Sequence, residues 1–433
     1  MRIGLFTDSY PPFINGVSTS VETLKNALEE KGHIVYVVTV GQDATTYSYD
    51  EEKKILKVPG LPLGIYDYRA ASIYPVKVIK TIKSWELDII HSHTELCMGI
   101  FARLLAKQYH IPLVHTYHTM YKDYTYYISR NHKYFDMGCK KAVEYLSKFY
   151  CDDTANAFIV PTIKTYHLFR DEYHYNKEIY IVPTGIDSSR FNKENVDLPK
   201  VNEIRKKLGY KKNDFVYLFV GRMAQEKNIL FLLDAMSKVK SKKNNIKLLL
   251  IGDGPDKDEY ESKMKELGLQ DSVKFFGSAP WNDMPLYYHM CQAFITASVT
   301  ETQGLTVIEA LAAEKPVLCI EDEAFHTMVV DKLNGMFFND IETCASKMLE
   351  LAADKKEYNS LLKHTKGSIK QYSLTSFADN VLEVYKVAIE NFNNKKDFSN
   401  MVHNTVKKLL GKKDGSADEG LSLIHISEPT RPY

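Results

Sequence analysis

The chain is poor in several kinds of residue. Its six cysteines (Cys97, Cys139, Cys151, Cys291, Cys319 and Cys344) are scattered, with no CxxC pair. That spacing argues against a disulfide framework or a cysteine-ligated zinc, and it suits free thiols in a reducing compartment. Excess charge is missing too: 56 Lys and Arg stand against 55 Asp and Glu in 433 residues. A globally basic nucleic-acid binder and a wholesale acidic protein are thereby excluded, though local patches are not. The longest apolar runs, such as 215–220 and 248–251, are of strand length, well short of the roughly 20 residues a membrane span requires. The chain starts on a strand pattern, Met-Arg-Ile-Gly-Leu-Phe-Thr, and no signal peptide is expected. Tryptophan is scarce at two, yet there are 29 tyrosines, many of them between 109 and 150. Tyrosine favours places that are half wet and half apolar.

What is present is enough for full-sized cores. Hydrophobic residues make up 44%, and the length suggests two or three domains. Apolar runs at 3–7, 34–40, 55–58, 89–91, 113–117, 157–160 and 179–182 read as strands buried on both faces. Helix-period stretches such as 17–30 and 98–109 lie between them. The turn-rich Pro183-Thr-Gly-Ile-Asp187 closes this series, and a second begins at 215–220, followed by 246–252, 273–276, 293–296, 317–320 and 336–338. Alternating strands and helices predict two tandem α/β Rossmann-like domains, 1–188 and 189–372. A helix at 373–394 is expected to return to the first domain, and 395–433 reads as a polar tail. Within it, 421–433 lacks periodicity and reads as non-native read-through.

Four motifs fall where ligands bind, at strand C-terminal ends. Glu301-Thr-Gln303-Gly304-Leu305-Thr-Val-Ile-Glu309 follows one strand and opens a helix. The amides of Gln303, Gly304 and Leu305 would sit at a helix N-terminus, which suits a phosphate. Glu309 is placed to reach a ribose. Gly221-Arg222-Met-Ala-Gln-Glu-Lys227-Asn follows another strand. Its Arg and Lys can clamp a diphosphate, one as a planar fork and one as a point charge. Gly16, in Pro11-Pro-Phe-Ile-Asn-Gly16-Val, opens a helix after the first strand and can face a phosphate across a cleft, although no GxGxxG is present. His118, in His115-Thr-Tyr-His118-Thr-Met-Tyr121, ends a strand and can hydrogen-bond a sugar hydroxyl. Taken singly, each motif also suits an ordinary charged loop or a satisfied histidine. Asp256-Lys-Asp258 has the letters of a DxD metal motif but lies in a polar stretch. No metal or other cofactor is expected.

Together these residues resemble the retaining sugar-nucleotide glycosyltransferases of family four, which have the two-Rossmann GT-B fold. The resemblance runs from Ile3 to about Asn391. It implies that Arg222 and Lys227 bind the diphosphate and stabilise its growing charge. The Gln303–Leu305 amides would cap the same phosphates, Glu309 hold the ribose, Glu301 contact the transferred sugar, and His118 line the acceptor side. The implied reaction is front-face transfer with retention. A narrower likeness, carried by the segments 6–16, 116–124 and 298–305, is to bacterial diacylglycerol glucosyltransferases. It implies UDP-glucose as donor, diacylglycerol as acceptor, and a cytoplasmic enzyme peripheral on the inner face of the cell membrane. Other acceptors (glucosyldiacylglycerol, phosphatidylinositol or a polysaccharide), a non-catalytic sugar-nucleotide binder and an epimerase of the same fold stay open.

Two basic, aromatic-laced stretches favour an anionic membrane surface as partner. Residues 69–85 carry Arg69, Lys77, Lys80, Lys83 and Trp85 among apolar residues at near-helical spacing. Residues 130–150 add Arg130, Lys133, Lys140, Lys141 and Lys148 among tyrosines and phenylalanines. Such stretches can lie in a lipid interface, or simply cover the first sheet.

Overall fold

The computed structural model describes residues 1–13, 15–43, 45–62, 69–123, 125, 133–152 and 154–410, with side chains described up to 394 and outside 133–135 and 149–152. Arg130, the Lys133 side chain and the segment 421–433, all singled out above, lie outside the described residues.

Strands β1 (Arg2–Thr7), β2 (Ile34–Val40), β3 (Ser48–Asp50), β4 (Ile55–Val58), β5 (Gly60–Pro62), β6 (Arg69–Ala71), β7 (Ile89–Ser92), β8 (Leu113–Thr116), β9 (Ala157–Val160) and β10 (Tyr180–Ile181) belong to the first half. Eight of them form one sheet in the order β10-β9-β8-β7-β1-β2-β4-β3, with only β3 antiparallel. β5 and β6 pair as a separate antiparallel ribbon. The second half holds β11 (Phe215–Val220), β12 (Ile246–Ile251), β13 (Val273–Gly277), β14 (Ala293–Thr296), β15 (Val317–Ile320) and β16 (Gly335–Phe338). They form an all-parallel sheet, β13-β12-β11-β14-β15-β16. This is the doubly wound Rossmann order, whose direction reverses between the first and fourth strands. In the first sheet the reversal falls between β1 and β7. Each reversal opens a crevice beyond the strand ends.

Apolar runs make these strands because both faces are covered. On the second sheet one core gathers Val216, Leu218, Phe294 and Val307, and the opposite face gathers Tyr217, Leu250, Ile295 and Leu318. On the first sheet, helix α1 (Gly16–Glu30) covers one face. Helices α2 (Val76–Ser84) and α3 (Cys97–Tyr109) cover the other. The helix Leu374–Leu410 lays Phe377, Val381 and Tyr385 among Leu5, Val21 and Val37 of the first half. It runs on past 394, where the polar tail was expected to begin. Two compact units result, Met1–Ile389 and Glu390–Tyr433, and both Rossmann halves lie in the first.

The segment 69–85 is not one lipid-facing amphipathic element. Arg69 belongs to β6, and its guanidinium donates to the carbonyls of Gly60 (3.0 Å) and Gln42 (2.6 Å). Trp85 is 5% exposed and stacks on Tyr36 at 4.4 Å between ring centroids. Val78 and Ile82 are buried with it against the sheet. Val78, Ile82 and Trp85 face protein because a sheet face has to be covered and α2 shares that work with α3, while Ile73 and Val76 stay exposed. Lys77, Lys80 and Lys83 remain exposed on its outer side. Among the described residues no helix is long and apolar enough to cross a membrane.

Candidate active site

The two crevices carry the residues that spacing singled out. In the second half, Arg222 lies two residues past the end of its strand, β11, and Lys227 closes the short 3-10 turn Gln225–Lys227. Glu301 lies beyond β14, the strand across the reversal. The two loops meet there: Lys227 Nζ donates to Glu301 Oε1 at 2.5 Å. Burial alone would push the Glu301 carboxyl up. The Lys227 ammonium, with hydrogen bonds from Lys227 and Ser298, outweighs burial and holds it below its ordinary value.

Gly304 precedes the helix Leu305–Ala312 with φ +79°, a left-handed conformation that glycine adopts without strain. A Cβ there would also lie 2.8 Å from the Phe325 ring. The turn therefore brings Gly304 and Leu305 to the open, positive end of the helix. Gln303 contributes its side chain as well as its backbone. Its amide accepts from Thr184 N (2.8 Å) and donates to Thr184 O (2.9 Å). Neighbouring bonds tie the same loop to the first half, with Thr162 Oγ1 donating to Thr302 O at 2.7 Å and Lys164 Nζ to Val299 O at 2.6 Å. Glu309 takes a hydrogen bond from Tyr288 Oη at 2.8 Å. Burial pushes its carboxyl up to about 7, against the opposing pull of Tyr288 and Arg190.

In the first half, Gly16 is the first residue of α1, capped by Asn15, and a Cβ on it would meet nothing within 4 Å. That open space borders the β1/β7 reversal. Asp8, at the end of β1, accepts from Thr94 Oγ1 (2.5 Å) and from Met98 N (3.1 Å) in the first turn of α3. It caps a helix whose own N-cap, Leu96, has no capping side chain. Burial raises its carboxyl to about 6.

His118 lies just past β8, partly exposed, with Nε2 3.0 Å from His93 Nδ1. Burial lowers its pKa to about 4, with the Glu95 charge opposing and His115 adding to the fall. His115 is fully buried between Ser92 O (3.1 Å from Nδ1) and Glu95 Oε1 (3.0 Å from Nε2). Both partners are acceptors, and burial, with the Arg103 charge, lowers the ring's pKa against the opposing pull of Glu95. Tyr121 Oη donates to the other Glu95 oxygen at 2.6 Å.

Sequence reasoning missed Glu95 and Asp8 as parts of this cluster. The signal was their position, each just past an apolar strand, but one sequence does not say that those strands are neighbours. Lys77 lies over the Tyr47 ring and Lys83 over the Tyr109 ring, and Lys140 pairs with Asp136 at 2.7 Å. Lys141 is exposed on the helix Lys133–Asp152. Among the described residues no group of three His, Cys, Asp or Glu is placed to hold a metal ion.

Comparison with known proteins agrees with this architecture. Residues 14–190 match the family model Glycosyltransferase Family 4, and residues 200–367 match Glycosyl transferases group 1. The alpha-monoglucosyldiacylglycerol synthase of Streptococcus pneumoniae is 33% identical over 92% of this chain and 88% of its own. The enzyme of that name from Acholeplasma laidlawii is 32% identical over 92% of this chain and 99% of its own. Among solved structures, Anabaena HepE in complex with UDP-glucose superposes with a TM-score of 0.70 at 16% identity, covering 89% of this chain and 99% of that one. With a site built at the reversal of each of two Rossmann sheets, and with relatives matched over nearly its whole length, the chain belongs to the family-four glycosyltransferases of GT-B fold.

Proposed function

We propose that the protein transfers glucose from UDP-glucose to diacylglycerol with retention at the anomeric carbon, working on the anionic inner face of the cell membrane. The observation that carries this reading is the similarity, at 33% and 32% identity over 92% of the chain, to two alpha-monoglucosyldiacylglycerol synthases. A donor in the second half would lay its diphosphate against Arg222, Lys227 and the Gly304–Leu305 turn, with Glu309 on the ribose. Arrival of the diphosphate gives Lys227 a second anion, and Glu301 is then free to accept from hydroxyls of the glucose. The acceptor hydroxyl attacks from the face the diphosphate leaves, and the leaving phosphate takes its proton. As that bond breaks, negative charge would grow beside Arg222, Lys227 and the helix N-terminus, where fixed positive charge stabilises it most. His118 faces the acceptor side.

The test is product analysis from purified protein, liposomes containing diacylglycerol, and a panel of nucleotide sugars. Mass spectrometry should find a monoglucosyl lipid from UDP-glucose, and the anomeric proton coupling should report the α configuration. Transfer only to another acceptor, or a β product, would overturn the corresponding part of the reading. Activity should persist in a chelator.

A further inference from the structure

The histidines of the first crevice form a layered chain whose hydrogen bonds fix more than position. His91 engages both ring nitrogens, Nδ1 with Tyr385 Oη at 2.8 Å and Nε2 with Thr116 Oγ1 at 2.7 Å. The His93 ring lies against it, 4.0 Å between centroids. His93 in turn meets His118 through Nδ1 and Nε2 at 3.0 Å, with the rings stacked at 24°. His93 is 2% exposed, and its Nε2 is buried with no hydrogen-bond partner among the described residues.

One proton lies in the His93–His118 contact, and burial keeps both rings neutral near pH 7. If His118 Nε2 held that proton, His93 Nδ1 would accept it and the single proton of His93 would sit on Nε2. That would leave a buried N–H with no acceptor, among the rarest and costliest of unmet groups. If His93 Nδ1 holds it instead, the unmet atom is a bare lone pair, which costs less. His118 then carries its own proton on Nδ1, the ring nitrogen for which no partner is found among the described residues.

We propose that His93 is a positioning residue that fixes His118 as the Nδ1–H tautomer, so that the group His118 offers to substrate is a hydrogen-bond donor. The inference rests on the reading that His118 faces the sugar or acceptor oxygen. The ring chain behind it, through His91 to Tyr385 of the helix Leu374–Leu410, holds the His93 plane in register with that task.

Nitrogen-15 NMR of histidine-labelled full-length protein reads the tautomer directly, with assignments from single-histidine variants. The expected result is a protonated Nδ1 and a bare Nε2 on His118. His93→Asn places an amide N–H where Nδ1 was. It should keep that tautomer and keep kcat within about threefold, whereas His93→Asp, read at a pH where its carboxyl is ionised, offers only acceptors, should move the His118 proton to Nε2, and should lower kcat at least about tenfold with little change in donor KM. A proton on His118 Nε2 in the unaltered protein, or an unchanged tautomer in His93→Asp, overturns the assignment. A shifted tautomer with unchanged kcat overturns instead the role of His118 on which it rests. The two failures are told apart because the NMR reading does not depend on turnover.

Discussion

Lys227 and Glu301 neutralise one another across the reversal of the second sheet, Nζ to Oε1 at 2.5 Å, from loops that follow β11 and β14. Each is mostly shielded, at 17% and 20% side-chain exposure. Neither charge would be stable there alone, and on the proposed reading a bound diphosphate would take over Lys227 while sugar hydroxyls took over Glu301. Lys227→Met should lower kcat by about 100-fold or more, the scale of losing a fixed charge at a leaving group. It should also release the Glu301 carboxyl upward. Glu301 sits below its ordinary value, so its pairing stabilises the fold above the unfolded pKa and is lost as pH falls through the folded one. The variant should lose that stabilisation at neutral pH. Thermal melts at pH 7 and pH 4 check it: the gap between variant and parent should narrow at the lower pH.

Glu309 has the opposite sign. Its carboxyl is raised to about 7 by burial, so the folded protein holds a proton that the unfolded chain gives up near the ordinary value. Stability from this group is complete below that value and declines as pH rises through about 7. The cost is on the order of 3 kcal/mol in the donor-free protein. The ionised form accepts a ribose hydroxyl more strongly than the protonated one, so donor affinity should weaken as pH falls below about 7. Titration calorimetry with UDP across pH 5.5–8.5, set beside Glu309→Gln, tests both ends. The variant should bind weakly at every pH and lose the pH dependence of its melting temperature in this range.

The parallel strands were plain in the sequence because strands covered on both faces are apolar at consecutive positions, whereas the short antiparallel β3, β5 and β6 carry no such run and were not read. The Leu305–Ala312 helix start was plain because Gly304 and the flanking glutamates sit at a fixed offset from β14. Neighbour relations were not plain. Nothing in the spacing says that β7 lies beside both β1 and β8, and it is that order which gathers Asp8, His93, Glu95 and His118 in one crevice. Trp85 shows the same limit from another side. An amphipathic stripe reads alike whether its apolar face meets lipid or meets Tyr36, and only the sheet's need for cover decides.

Gln303 and Thr184 form a two-bond clamp between the donor loop and the turn that joins the halves. Gln303→Glu keeps the shape but removes the N–H, and it sets a carboxylate oxygen against the Thr184 carbonyl. Leaving that buried acceptor unmet should cost about 1–3 kcal/mol. A lower melting temperature and a raised donor KM are the expected outcome, and Gln303→Ala should be the milder change. Equal melting temperatures for all three proteins would show that the clamp holds nothing.

The proposed membrane attachment would rest on surface groups and not on the buried Trp85. Lys77, Lys80 and Lys83 project from the exposed side of α2. On the helix Lys133–Asp152, Met137 (52% exposed) and Tyr145 (70% exposed) flank Lys141 at four-residue intervals, so apolar and basic groups share one outward stripe. A stripe of that kind meets an interface by burying the methionine and tyrosine while the lysine reaches anionic headgroups. Each lysine should contribute on the order of 1 kcal/mol to binding of anionic vesicles. Lys140 should contribute less, because Asp136 already neutralises it. In flotation assays, Lys77→Glu with Lys80→Glu, or Met137→Ser with Tyr145→Ser, should release the protein from anionic vesicles and leave its melting temperature within about 1 °C of the parent, as surface changes do. Trp85→Ala should do the reverse. It removes a ring buried against Tyr36 and should cost about 3–5 kcal/mol of stability, while vesicle binding of the folded fraction stays unchanged. If Trp85→Ala released the protein from vesicles at a temperature where it is fully folded, the assignment of that tryptophan to the interior would fail.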